Sequence, residues 1–300
     1  MRVVISGSSG LIGTALRRQL TDEGHDVVRL VRRLPAEGEA RWNPEAGTLD
    51  AGALDGADAV INLSGAGIGD KRWTEDRRRV VYESRIGTTR LLAQTIASLS
   101  VRPTVFISGS AIGIYGDRDD EVLTEASAPG PADDFLVDLV IDWEAATDPA
   151  HEAGVRTVNV RSGIVLDRDE GALGKLMLPA KLGVGGRLGS GRQWWSWISL
   201  VDEVRALSHL LGSSLSGAVN VTAPNPATNA ELTKALGWAL HRPTVLPVPR
   251  FALQILLGKE RAGALGFTSA RVLPERLLAD GFTFVHETIG LAMAALVGAD

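Results

Sequence analysis

Short, β-branched apolar runs alternate along this chain with longer stretches whose apolar residues recur at helical spacing. The short runs are Val3 to Ile5, His25 to Val31, Ala59 to Leu63, Thr104 to Ile107 and Val155 to Val160, the last continued through Arg161 to Leu166. Each is too brief for a helix and rich in residues that suit a buried, pleated surface. Between them lie three helical patterns: Leu11, Ile12, Ala15, Leu16 and Leu20; a long polar helix opened by Thr74, Glu75 and Asp76 and ending near Ser98; and Phe135, Leu136, Leu139, Val140 and Trp143. Residues 34–57 read as loop with one short strand near Trp42. This alternation predicts an α/β fold with a Rossmann-like, doubly wound parallel sheet.

Beyond Leu166 the rhythm changes. Residues 167–197 are glycine-rich and carry Trp194, Trp195 and Trp197. Asp202 reads as a helix start, Ala218 to Val221 as a last short strand, and Thr228 with Glu231 as a capping box. Pro243, Pro247 and Pro249 set off a C-terminal segment of short helices. The expected division is a nucleotide domain of residues 1–166 plus about 198–224, with a smaller substrate-side domain of about 167–197 and 225–300.

The first run carries the chemistry. Val3 to Ile5 breaks at Gly7, and Gly7, Gly10 and Gly13 fall three apart as the chain enters its first helix. Such a junction leaves backbone N–H groups unpaired at the positive end of a helix dipole, which suits phosphate. Gly7 permits the tight turn, Gly10 lets a pyrophosphate approach, and Gly13 lets helix and strand pack closely. Gly7, Ser9, Gly10, Leu11, Ile12 and Gly13 are therefore the candidate contacts of a dinucleotide. A ligand-free glycine turn is the alternative, and the strand before and helix after argue against it.

At the end of the second strand stand Arg32 and Arg33, where an NAD-binding chain would place an acid for the adenosine ribose. A guanidinium matches a 2′-phosphate instead, so NADP is favoured over NAD. The third strand ends in Asn62, Leu63, Ser64 and Gly65, small residues that let a ligand lie against the backbone. Arg77, Arg78 and Arg79 read as a solvated helix face, and periodicity alone does not bring Arg85 to a ligand. Ser108 and Ser110 follow the fourth strand, where a hydroxyl is placed to polarise a substrate oxygen or simply to cap backbone groups. For Trp194, Trp195 and Trp197, core packing competes with the expectation that at least one lines an apolar substrate pocket.

Composition narrows the classes. The chain of 300 residues has 31 basic against 36 acidic residues, a net charge of −5, and no cysteine. Thiolate metal sites and disulfides are thereby excluded, no metal site is expected, and neither nucleic acid nor a membrane is an expected partner. The N-terminus enters a strand at once, without a signal peptide, so a cytoplasmic protein is expected, as monomer or homodimer, acting on a small molecule.

The whole chain resembles the extended short-chain dehydrogenase/reductases, and within them an atypical, epimerase/dehydratase-like branch of uncertain substrate. The resemblance rests on Gly7, Gly10 and Gly13; Arg72-Trp73-Thr74; Ser84-Arg85; Gly189 to Gln193; Ser196-Trp197-Ile198; Asn220 to Pro226; and Gly281 to Phe284. It implies that Arg32, Asn62 to Gly65, Arg85, Ser108 and Ile164 approach the cofactor, and that Ser110 is the counterpart of the catalytic serine. The superfamily's tyrosine and lysine, four residues apart, would fall near 135–145. Here that helix has Phe135 or Leu136, then Leu139 or Val140. Ser110 and Tyr115 are therefore the catalytic candidates, Tyr115 as the nearby phenol at a position usually structural in relatives, and Ser199 stands where the branch commonly has histidine. An NADP-dependent oxidoreductase or epimerase is the favoured expectation; a nucleotide-binding sensor without turnover is the alternative.

Overall fold

A computed structural model describes residues 1–183 and 185–297, so residue 184 and the last three residues of the expected substrate-side segments lie outside the described residues. The short apolar runs become strands: β1 (Arg2–Ser6), β2 (Asp26–Val31), β3 (Glu39–Asn43), β4 (Thr48–Leu49), β5 (Ala59–Asn62) and β6 (Val105–Ala111). After β7 (Val122–Leu123) come β8 (Arg156–Ser162), β9 (Ile164–Leu166), β10 (Trp194–Trp195), β11 (Trp197–Ser199) and β12 (Gly217–Val221). One sheet has the order β12-β8-β6-β5-β1-β2-β3-β4, parallel throughout except for the β3–β4 edge. The strand order reverses at β1, which opens a crevice beyond the carboxyl ends of β1 and β5, where doubly wound sheets bind ligands.

Both faces of the sheet are covered, which is why its strands read as unbroken apolar runs. Val3 and Ile5 face one core with Leu16 and Leu20 of α1 (Leu11–Asp22). Val4, between them, faces the other with Leu92, Ala93 and Ile96 of α2 (Glu75–Ser98). Adjacent residues thus serve opposite layers, as the two-residue period of a strand requires. The second layer continues into α3 (Phe135–Ala145) and α4 (Asp148–Glu152); α5 (Gly171–Lys181) belongs to the C-terminal part, and α6 (Leu200–Gly212) lies beside α1. A third core, with Leu173, Met177, Trp195, Trp197, Leu232 and Met293, fills the C-terminal part.

Several strands differ from the sequence reading by a residue at one end, the fifth divides at Gly163 into β8 and β9, and two further differences bear on the site. β6 runs through Ala111, so Ser108 and Ser110 lie on the strand, because Ser108 to Ala111 pair in register with Asn159 to Ser162. The helix expected from Asp202 begins at Leu200, capped by the Ser199 side chain on the Asp202 N–H. Asp202 is itself fully buried, accepting from the backbone N–H groups of Val285 and His286. The Thr228–Glu231 capping box is present and opens α7 (Asn229–Ala239).

Candidate nucleotide crevice and adjoining cleft

The glycine turn is built by close approach. Gly7 has φ +72°, a left-handed conformation that glycine adopts without strain, and a Cβ there would stand 2.5 Å from the Leu63 carbonyl. A Cβ on Gly13 would overlap the Gly7 carbonyl oxygen, whereas one on Gly10 would meet its nearest atom only at 3.5 Å. Two glycines therefore close the turn and the middle one leaves room. Gly10 is the N-cap of α1, and no side chain caps that helix. Its first N–H groups face the crevice end of the sheet, and Ser9 beside them is exposed.

The two arginines after β2 part company. Arg33 donates to both Glu39 carboxylate oxygens, at 2.6 Å each, and to the Leu34 carbonyl at 2.9 Å. Glu39 also pairs with Arg29. Arg32 is three-quarters exposed, and its one acidic neighbour is the exposed Glu45 at 4.0 Å. Arg32 is thus free to meet a ligand and Arg33 is held by the protein.

At the end of β5, Asn62 is a cornerstone. Its Oδ1 accepts from Ser6 Oγ at 2.5 Å and from the Ser64 N–H at 3.2 Å, while its Nδ2 donates to Thr89 Oγ1 at 2.8 Å. The side chain is fully buried and engaged, which leaves Leu63, Ser64 and Gly65 to line the turn. Arg85 lies flat on that turn: a Cβ on Gly65 would come 3.1 Å from its guanidinium carbon. Arg85 donates to the Ala66 carbonyl at 3.0 Å and to the Val81 carbonyl at 3.1 Å, with its guanidinium 5.1 Å from the Trp143 ring centre. Burial, together with the Arg77 cation, lowers its pKa to about 10, and no carboxylate pairs with it among the described residues. A half-buried cation of this kind suits an anionic ligand. Arg77 and Arg78 are not simply solvated: Arg77 donates to the Gly67 carbonyl and Arg78 pairs with Glu260, both drawn in by partners distant in sequence. Ser108 is fully buried beside Asn62 on the neighbouring strand, and Ile164 opens β9 opposite Trp197.

Ser110 donates to Glu144 Oε1 at 2.6 Å. Glu144, near the end of α3, accepts from Arg161 Nε at 2.8 Å and Nη2 at 2.9 Å. Arg161 Nη1 donates at 2.9 Å to the Tyr115 hydroxyl, which donates at 2.8 Å to Asn220 Oδ1. Burial opposes the charge of Arg161, but the bonds and charge of Glu144 prevail and raise its pKa above the ordinary arginine value. Tyr115 is fully buried with its hydroxyl engaged on both sides, and burial raises its pKa. The structure therefore does not present Tyr115 to the crevice, in contrast to its candidacy as a catalytic phenol.

A cleft of about 360 Å³ opens where the start of α3 meets the C-terminal segments. Trp73, Phe135 and Phe267 give it aromatic walls, and its charged lining is Asp117, Asp133, Asp134, Glu260 and Arg250. Asp134 caps α3 through the N–H groups of Leu136 and Val137, so that helix terminus is already satisfied. None of Trp194, Trp195 and Trp197, at least one of which is expected to line a substrate pocket, lines this cleft. Trp195 and Trp197 are packed in the third core, and half-buried Trp194 donates to Asp120 at 2.7 Å beneath the Arg271 guanidinium. The short strands that carry Trp195 and Trp197 pack both indoles into the third core, while Trp194 stays outside it. In sequence Trp73 is part of Arg72-Trp73-Thr74 with no role attached, Phe135 reads as part of the helix pattern, and Phe267 carries no signal beyond hydrophobicity. Glu144 reads in sequence as one more polar residue at a helix end.

Residues 3–222 match the NAD dependent epimerase/dehydratase family. The chain belongs to that family. Residues 248–296 match a domain of unknown function, DUF1731. Among family members, an epimerase family protein of Mycobacterium tuberculosis is 44% identical over 293 residues, covering 97% of this chain and 96% of its own. The human epimerase family protein SDR39U1 is 38% identical over 300 residues, covering 99% of this chain and all of its own. The crystal structure of human SDR39U1 (isoform 2) with NADPH superposes with TM-score 0.91 at 35% identity, covering all of both chains. A nucleoside-diphosphate sugar epimerase from Corynebacterium glutamicum superposes with TM-score 0.81 at 37% identity, covering 99% of this chain and 58% of that one. UDP-glucuronic acid 4-epimerase from Bacillus cereus, at 14% identity and TM-score 0.78, shares the fold.

Proposed function

We propose that this epimerase/dehydratase family member binds NADP(H) in the crevice and acts as an oxidoreductase or epimerase-like enzyme on a small molecule. The observation that carries the cofactor choice is Arg32, exposed and only loosely paired where an NAD-binding site would hold an acid. The residues present fit the group. The α1 terminus lacks a side-chain cap, Gly10 leaves space beside it, and Arg85 is a half-buried cation without a carboxylate among the described residues. Arg32 would hold the 2′-phosphate, the N–H groups at Leu11, Ile12 and Gly13 the pyrophosphate, and the Leu63–Gly65 turn the adjoining sugar. When bound, the nicotinamide supplies hydride exchange. The related human protein crystallised with NADPH supports the same choice.

The aromatic cleft beside α3 is the proposed substrate end of the crevice. Its lining sets Asp117, Asp133 and Asp134 against Arg250, with Glu260 already paired to Arg78, a balance that disfavours a diphosphate and favours an uncharged or cationic molecule. Ser110, buried on β6 and outside the cleft's own lining, is the proposed substrate contact. A second reading, a nucleotide-binding sensor, is favoured by one observation: Leu136 and Val140 face Gly113, where a reactive phenol and ammonium would otherwise be sought. Titration with NADPH and NADH, followed by hydride-transfer assays on a panel of carbonyls and alcohols, tests both readings. Tight NADPH binding with turnover supports the enzyme, and binding without any turnover supports the sensor. The proposed cellular setting is cytoplasmic; no helix among the described residues is long and apolar enough to cross a membrane.

A further inference from the structure

We infer that Glu144 is a positioning residue that fixes the polarity of Ser110: it takes the serine proton, so Ser110 meets its ligand only as an acceptor, and the ligand group there is a hydroxyl. The inference rests on the reading above that Ser110 faces the substrate. A serine hydroxyl has one proton and two lone pairs, and its direction is ordinarily free to rotate. Here it is set by residues that have no choice. Arginine only donates, so Arg161 must donate to Glu144 and to the Tyr115 hydroxyl. The Tyr115 proton is thereby directed to Asn220 Oδ1, and Asn220 Nδ2 donates to the Leu273 carbonyl. Glu144, clamped on both oxygens by Arg161, has only lone pairs to offer, and the 2.6 Å bond from Ser110 completes the chain. A bond to a carboxylate is stronger than one to a neutral acceptor, so a ligand carbonyl does not readily draw this proton away.

The lone pairs of Ser110 receive no donor from the protein among the described residues. On α3, Leu136 and Val140 contribute only carbon toward the neighbouring Gly113 turn, so no phenol competes for them. A ligand oxygen at Ser110 must therefore bring its own hydrogen. In the oxidative direction the substrate's O–H and C–H bonds break and its C=O forms. In that direction the hydroxyl proton would pass to Ser110 Oγ as the serine's own proton passes to Glu144, with a bound nicotinamide supplying the hydride acceptor. Ser110 and Glu144 together thus move the proton that a tyrosine would otherwise carry.

The test is a matched pair of ring probes, cyclohexanol and cyclohexanone, titrated by ligand-observed NMR into the full chain with NADP⁺ present. The unaltered protein is expected to bind the alcohol about tenfold more tightly, the value of one hydrogen bond to a charge-polarised acceptor. Ser110→Ala, which leaves the Glu144–Arg161 pair intact, should abolish the preference, and Glu144→Gln should shrink it by freeing the hydroxyl to turn. Equal binding, a preference for the ketone, or an alcohol preference that survives either substitution would overturn the inference. If Glu144→Gln fails to fold, Ser110→Ala and the unaltered protein still decide. NADPH affinity is measured separately, so loss of cofactor binding with the alcohol preference retained counts against the cofactor reading and not against Glu144.

Discussion

Glu203 offers a sharp test of the packing beneath the crevice. It lies in the first turn of α6, completely buried, with Ser162 Oγ donating to its Oε1 at 2.6 Å and its Oε2 without a partner among the described residues. Burial pushes its pKa up from 4.5 to about 7, and the Ser162 bond only partly offsets this. A rise to about 7 corresponds to about 3 kcal/mol of stability linked to this proton. The native state holds its proton more tightly than the unfolded chain does, so stability is fully present below about pH 4.5 and falls as pH rises to about 7, beyond which the whole cost of the buried charge remains. Glu203→Gln keeps the shape, keeps an acceptor for Ser162 and never ionises. Urea unfolding of both proteins from about pH 5 to pH 8 should show the variant gaining on the parent with pH, by about 3 kcal/mol at the upper end. A difference that is constant across this range would refute the burial argument, and so would a variant that is increasingly the less stable of the two as pH rises.

Other perturbations separate the parts of the site. Gly13→Ala places a Cβ against the Gly7 carbonyl and should weaken NADPH binding by about tenfold or more, read by fluorescence titration. Arg33→Ala should leave the preference for NADPH nearly unchanged, because Arg33 is held by Glu39; the same titration with both nucleotides checks it. Ser110→Ala should slow any turnover while leaving NADPH affinity within about twofold, by stopped-flow and equilibrium binding on one preparation. UDP-glucuronic acid should bind no more tightly than about 1 mM by calorimetry, since the cleft lacks a free anion-binding device beyond Arg250.

The sheet was legible because it is covered on both faces: Val3, Val4 and Ile5 are all buried, so the strand reads as an uninterrupted apolar run. Gly7 and Gly13 were legible because backbone atoms press on them, a constraint that only glycine meets. The separate fates of Arg32 and Arg33 were not, since Glu39 on the neighbouring strand decides them through side-chain contacts. Trp194, Trp195 and Trp197 misled because sequence shows an indole's size and not the direction in which a two-residue strand turns it. The Ser110–Glu144–Arg161–Tyr115–Asn220 chain joins β6, α3, β8, the turn after β6 and β12, and no local pattern records a contact between elements so far apart.

The most direct measurement compares NADPH with NADH on the unaltered protein and on Arg32→Glu, by equilibrium fluorescence titration at one fixed salt concentration. The unaltered chain should prefer NADPH, and Arg32→Glu should weaken NADPH by about tenfold or more, as loss of one charge-assisted bond requires, while NADH changes little. Equal affinities for the two nucleotides in the unaltered protein, or an NADPH affinity indifferent to Arg32→Glu, would contradict the account.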